Sequence, residues 1–207
     1  ENLATMASDV ITTSVGVTPS YLAGNPSVDA ILTDFVRDLE SSNAVITVAA
    51  QHSNWTGTRA DTGTTGLGGF TTCPNNATMT VANCNTWTYK GLDSSNVIYA
   101  GEVDSSDNIP SWSNQAGETH KNQFIVTSSD YITTASDGGT HGNSFAAPRV
   151  AGAGALVRHK FPNLSGAQTA TTILHTADDL GVAGVDAVYG HGKLNVGKAL
   201  SPVGNLH

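Results

Sequence analysis

Gly139-Thr140-His141-Gly142-Asn143-Ser144-Phe145-Ala146-Ala147-Pro148-Arg149-Val150-Ala151-Gly152 decides how this chain is read. A glycine-flanked turn delivers a serine. Small residues follow it, and then a run of almost only small and apolar residues from Val150 to Val157 predicts a helix. A hydroxyl at the start of such a helix lies at the positive end of its dipole, beside N–H groups with no intrahelical partner. Pro148 suits a first helical turn, where no donor is needed. A helix apolar on every side is expected to be buried. Ser144 is therefore expected to be an exposed hydroxyl mounted on a core element, which suits a nucleophile that must stay in place. The competing reading is a serine that caps the buried helix, a common role for Ser at such a position.

The rest of the chain bounds what that serine could serve. At 207 residues it allows one domain with a proper core. A net charge of −8 with few basic residues offers no patch to neutralise phosphates, which argues against nucleic acid as a partner. No run approaches the roughly 18 apolar residues of a membrane span. No signal peptide is readable, so any such segment would lie outside this sequence. Low Lys and Arg with abundant Thr, Ser, Asn and Gly suits a secreted or cell-envelope protein. Cys73 and Cys84 sit in a polar segment. A local disulfide there would contribute about 2–3 kcal/mol and imply an oxidising compartment. The alternative is two free thiols. A metal site lacks the second Cys/His pair that zinc spacing needs.

Taken in order, Glu1 to Ser8 reads as the end of a helix with no cap at its start. Asp9 to Gly16 is predicted as a buried strand. Val17 to Asn25 is loop. Pro26-Ser27 opens a helix with Val28, Ile31, Leu32, Phe35, Val36 and Leu39 at helical spacing. Ala44 to Ala50 is a continuous apolar run, hence a strand of parallel type. Strand, helix, strand makes a right-handed crossover unit. Residues 51–91 form a loop-rich insertion holding Cys73 and Cys84. Val97 to Val103 is a strand, Asp104 to Asn108 a turn, and Phe124–Thr127 and Tyr131–Thr134 are short strands. After the serine turn and its helix, Ser165 to Ala177 is an amphipathic helix with Ala170, Ile173, Leu174 and Ala177 inward. Val188 to Val196 closes the pattern, with no internal repeat and no second domain.

Asn143-Ser144-Phe145-Ala146-Ala147-Pro148 resembles the nucleophile motif of the subtilisin-like serine proteases, which reads Gly-Thr-Ser, small residues, Pro and a Val-Ala-Gly helix. The resemblance covers nearly the whole chain and matches the C-terminal part of that catalytic domain. It implies an α/β, three-layer fold with a mostly parallel sheet, residues 1–207 forming one domain that lacks its N-terminal portion. Asp9-Val10-Ile11-Thr12-Thr13-Ser14-Val15-Gly16 resembles the family's substrate-binding strand, so Ser14, Val15 and Gly16 would bind an extended peptide edge to edge. Val48-Ala49-Ala50-Gln51-His52 resembles the Ala-Ala-Gly-Asn strand end, so Ala49 and Ala50 would floor the specificity pocket. Val97 to Asp107 resembles the Ala-Val-Gly-Ala-Val-Asp strand and turn, and Ser111-Trp112-Ser113-Asn114 the Phe-Ser-Asn segment after it. Asp186 to Ala199 is especially similar to subtilases in bacterial autotransporter passengers.

The departures are specific. Asn143 stands where the family has Thr. His52 replaces the Asn that donates to the oxyanion, with Gln51 for the usual Gly, leaving His52 and nearby Asn54 as oxyanion candidates. The family's catalytic Asp and His precede the strand that begins at Asp9 here, and neither motif is found. The resemblance thus implies a serine endopeptidase fragment in which Ser144 attacks a peptide carbonyl. The Asp and His would come from a missing or separate N-terminal fragment of the same precursor, still associated, since a half sheet alone would expose strand edges. The alternative is a catalytically inactive structural or binding module derived from a subtilase. Calcium takes oxygen ligands of the kind that Asp104, Asp107, Asp178 and Asp179 carry, though turn carboxylates are their ordinary reading. His120, His159, His175, His191 and His207 read as solvated or helix-end residues. Trp55, Trp87 and Trp112 read as packing residues. Asn76-Ala77-Thr78 and Asn163-Leu164-Ser165 match glycosylation sequons.

Overall fold

A computed structural model of the chain describes residues 8–13, 26–50, 94–110, 113–128 and 142–201. Four strands are described: β1 (Val10–Thr13), β2 (Val45–Ala49), β3 (Val97–Val103) and β4 (Phe124–Ser128). They lie in one sheet in the order β1-β2-β3-β4, and every pairing is parallel. The register sets Val10 against Val45, Ile46 against Val97 and Tyr99 against Phe124. Helices α1 (Pro26–Ser41), α2 (Gly117–His120), α3 (Asn143–Lys160), α4 (Gly166–His175) and α5 (Val196–Ala199) complete the described elements, with a short 3-10 turn at Lys121–Gln123 between α2 and β4.

The expected three layers follow from strand parity, because successive side chains point to opposite faces. Ile46, Val48, Val97, Tyr99, Phe124 and Val126 share one face, where Phe35 and Leu39 of α1 pack. Val45, Ala49, Ile98, Ala100 and Ile125 share the other, under Ala146, Ala147, Val150 and Val157 of α3 and Ala170, Ile173 and Leu174 of α4. Burying each of the larger side chains contributes about 1.5–3 kcal/mol, so continuous apolar strands are what a sheet covered on both faces requires.

Local chemistry fixes the joints. Ser165 caps α4 by accepting from the Gln168 N–H at 3.1 Å, while the Gln168 side chain accepts from the Ser165 N–H at 2.9 Å. That reciprocal pair satisfies two orphan donors at the helix start. The next N–H, of Gly166, reaches Asn43 Oδ1 at 3.0 Å and moors α4 beside the start of β2. Arg158 near the end of α3 pairs with Asp9 at 2.5 Å, just ahead of β1. The expected closing segment lies along β4, with Val126 N–H donating to Gly192 at 2.9 Å and Leu194 N–H to Val126 at 2.8 Å.

Two expectations for α3 need correction. It begins at Asn143, not Val150, so Pro148 stands inside the helix rather than in its first turn. It is also not buried all round: Val150, Ala151, Ala153, Gly154 and Val157 are buried, whereas Gly152, Ala155 and Leu156 face outward. Small residues on both sides hid the difference between the two faces. The strand expected at Tyr131–Thr134, the 51–91 insertion, and residues 1–7 of the expected first helix lie outside the described residues. So do the three tryptophans, the Asn76 sequon and His207.

Candidate active site

In a parallel sheet the C-terminal strand ends gather on one side, where sites form in open α/β folds. The start of α3 is tied to three of these ends. The Asn114 side-chain amide donates to the Ala50 carbonyl, one residue past β2, at 2.8 Å. Its neighbour Ser113 donates from Oγ to Asn143 Oδ1 at 2.9 Å, and both residues are fully buried. Glu102, next to last in β3, accepts from the N–H of Gly142. Arg149, in the second turn of α3, donates to the carbonyl of Ser128 at the end of β4.

Ser144 is the second residue of α3 and is exposed. It does not cap the helix. The cap position is Gly142, and no side chain makes a cap hydrogen bond there. Gly142 has φ 153° and ψ 149°, a backbone region open essentially to glycine alone. This explains the glycine two residues ahead of the serine. The Phe145 N–H donates to the Gly142 carbonyl at 2.8 Å and closes the first turn around Ser144. Pro148 has no N–H for the Ser144 carbonyl four residues back, so the helical ladder is interrupted at the serine itself.

Glu102 is the electrostatic feature of this region. It is 2% exposed, on a strand otherwise made of Val, Ile, Tyr, Ala and Gly. Burial pushes its carboxyl up to about 7, while the Gly142 N–H and the positive charge of Arg149 act in the opposite direction. Sequence reading placed Glu102 in a strand without drawing the consequence. The available signal was a lone carboxylate inside an apolar strand, on the same parity as Ile98 and Ala100. Asn114 and Arg149 were missed as structural ties, because their partners are distant carbonyls that no local pattern announces.

Of the other candidates, Ala49 and Ala50 sit at the C-terminal end of β2, both fully buried, on opposite faces of the sheet. Ser14, Val15, Gly16, His52, Asn54, Cys73 and Cys84 lie outside the described residues. The candidate calcium carboxylates have protein partners: Asp104 accepts from the N–H groups of Ser106 and Asn108, Asp107 pairs with Lys193, Asp178 with Asn195 and Lys198, and Asp179 with the Gly184 N–H. Among the described residues, no cluster of three or more His, Cys, Asp or Glu could hold a metal ion. His120 ends α2 as expected of a helix-end residue but is not solvated. It is buried, its ring centroid 4.7 Å from that of Tyr99. His175 closes α4, stacked 5.3 Å from His191. No described helix is long and apolar enough to cross a membrane.

Comparison with known proteins agrees with this architecture. The Subtilase family profile matches residues 1–192. Over 60 residues, 29% of this chain, the sequence is 47% identical to the Neisserial autotransporter lipoprotein NalP of Neisseria meningitidis, of which 6% is covered. Over 102 residues, 48% of this chain, it is 39% identical to Subtilisin DY of Bacillus licheniformis, of which 35% is covered. Among solved structures, MycP1 from Mycobacterium smegmatis shares the fold at a TM-score of 0.62 and 19% identity, with 99% of this chain and 53% of that one covered. A lanthipeptide protease does so at 0.62 and 18%, with 94% and 62% covered. The chain thus spans less than two thirds of the length of each of these proteins. A family profile matched over nearly its whole length nevertheless settles the kinship: the chain belongs to the subtilase family.

Proposed function

We propose that this chain is the serine-bearing part of a subtilisin-like endopeptidase in which Ser144 Oγ attacks the peptide carbonyl. The observation that carries the reading is the position of Ser144. It is an exposed hydroxyl on the first turn of α3, tethered over the strand ends, and the cap position beside it belongs to glycine. A helix start also offers N–H groups and a positive dipole end to the oxyanion that develops as the carbonyl is attacked. A serine hydroxyl needs a base, and a His oriented by an Asp is the arrangement that supplies one. In this reading an N-terminal segment of the same precursor, outside this chain, carries both.

Substrate would add as an extended strand along Ser14, Val15 and Gly16, with Ala49 and Ala50 flooring the pocket and His52 or Asn54 completing the oxyanion site. Cys73 and Cys84 would form a disulfide, in keeping with a secreted or cell-envelope location. Among the relatives, two are named extracellular serine proteases, both from Serratia marcescens. The test is hydrolysis of an unstructured protein such as casein by the native assembly and by its Ser144→Ala variant. Cleavage by the first and none by the second is expected. Equal rates would overturn Ser144 as the nucleophile, and no cleavage by either across a broad peptide library would overturn the assignment in favour of an inactive module.

A further inference from the structure

The row of β3 side chains that faces α3 runs Ile98, Ala100, Glu102. The first two are ordinary core residues. The third is a carboxyl at 2% exposure whose Oε2 has no hydrogen-bond partner among the described residues. An apolar side chain would fill this place without the desolvation cost that a carboxyl incurs. The strand does not need Glu102, so its role must be sought in what it touches.

What it touches is the turn before the serine. The Gly142 N–H points at the Glu102 carboxyl. Gly142 is held in a conformation that only glycine takes comfortably, and such positions persist when their surroundings over-determine them. Its carbonyl side is fixed by the Phe145 N–H at 2.8 Å. Its N–H side is fixed by Glu102. Ser144 lies in the turn that Gly142 and Phe145 close, so a shift of Gly142 carries the serine with it. From α3, Arg149 acts on the carboxyl with its positive charge and is itself tied to the Ser128 carbonyl. Among the described residues it is the charged group that acts on Glu102. A carboxylate beneath a helix start is also favoured by the helix dipole.

We infer that Glu102 is a positioning residue for Ser144: its buried carboxyl holds the Gly142 N–H and so fixes the turn from which α3 presents the hydroxyl. The inference rests on the reading of Ser144 as nucleophile. It involves no bond-making step by Glu102. Nucleophilic attack is steeply sensitive to placement, so a loosened turn should slow reaction at Ser144 more than it weakens substrate binding.

Two readouts on the native assembly test this. In the first, this chain alone carries carbonyl-labelled His and nitrogen-labelled Gly, which marks only the amides of Gly142 and Gly192, since His141-Gly142 and His191-Gly192 are the two His-Gly pairs in its sequence. The Gly142 amide resonance is expected to titrate near neutral pH in the wild type and to lose that titration in Glu102→Gln. A titration arising from the adjacent His141 would persist in the variant. In the second, the rate of fluorophosphonate labelling at Ser144 is expected to fall about tenfold in Glu102→Gln, as expected for a lost charge-assisted hydrogen bond, with KM for a peptide substrate little changed. Arg149→Gln serves as a second variant should Glu102→Gln fold poorly, and should move the Gly142 titration to higher pH. An unchanged Gly142 titration or an unchanged labelling rate in Glu102→Gln overturns the inference, as does an unmoved titration in Arg149→Gln. A wild type that never labels sinks the nucleophile reading and this inference with it, whereas labelling that is equally fast in Glu102→Gln sinks this inference alone.

Discussion

The hydroxyl of Ser113 donates to Oδ1 of Asn143 across 2.9 Å of fully buried interior. Asn143 is the residue at which this chain departs from the Thr of the family motif, and it is the first residue of α3. The departure is therefore built into the core: the longer amide reaches a segment whose next residue, Asn114, holds the end of β2 at 2.8 Å. Removing one partner of a buried hydrogen bond costs about 1–3 kcal/mol. Ser113→Ala should lower stability by that amount, read as a shift of the urea midpoint at constant slope. An unchanged midpoint would mean the bond contributes nothing net.

Two glycines in the helices should respond in opposite directions to alanine. At Gly152, on the outer face of α3, an added Cβ meets nothing within 4 Å. Gly152→Ala should stabilise by about 0.5–1 kcal/mol through helix propensity and a less flexible unfolded chain. At Gly166, the first residue of α4, the Cβ would lie 2.3 Å from the Ala44 carbonyl oxygen. Backbone cannot yield as a side-chain tip can, so Gly166→Ala should unseat α4 from β2 and cost more than about 2 kcal/mol. Thermal melts of the two variants provide the comparison.

Glu102 also makes stability depend on pH. Its folded carboxyl titrates at about 7, above the ordinary 4.5. The native state therefore holds a proton that the unfolded state has released, and stability should fall as pH rises from about 4.5 through 7. Glu102→Gln cannot lose a proton there. Relative to wild type, its stability should improve by about 2–3 kcal/mol between pH 5 and pH 8. Parallel curves for the two proteins across that range would exclude the buried titration.

Asp178 works with the opposite sign. The Lys198 ammonium, helped by the Asn195 amide, holds its carboxyl below the usual value. Such a group contributes stability above its unfolded pKa and loses it as pH falls through the folded one. Both side chains are well exposed, so screening limits the effect to about 0.5 kcal/mol. Asp178→Asn should be slightly less stable than wild type at pH 7 in low salt and indistinguishable from it below about pH 3.

Much of this architecture was legible in the chain because the dominant force there is apolar burial, which leaves a periodic trace. Val45–Ala49 and Val97–Val103 are continuous apolar runs because α1 covers one face of the sheet and α3 and α4 the other. Ala170, Ile173 and Leu174 announced α4 by their helical spacing. The start of α3 was misplaced because Pro148 is a strong sign of a first turn, yet the helix runs through it, held at its beginning by Gly142, Glu102 and Ser113. Those ties join residues far apart in sequence, and neither the carboxyl under Gly142 nor the two Asn amides shows any local periodicity. Ser144 itself was found by motif. Its standing as an uncapping, exposed hydroxyl shows only in the fold, because a capping serine and a presented one look alike as letters.

The nucleophile assignment is tested most directly by treating the native assembly with a fluorophosphonate and mapping the adduct by peptide mass spectrometry. The account predicts a single phosphonylated residue, Ser144, with labelling abolished in Ser144→Ala while the fold, judged by circular dichroism and thermal melting, is retained. No adduct at Ser144 in an assembly that carries the partner His and Asp, or equal labelling of the Ser144→Ala protein, would contradict it.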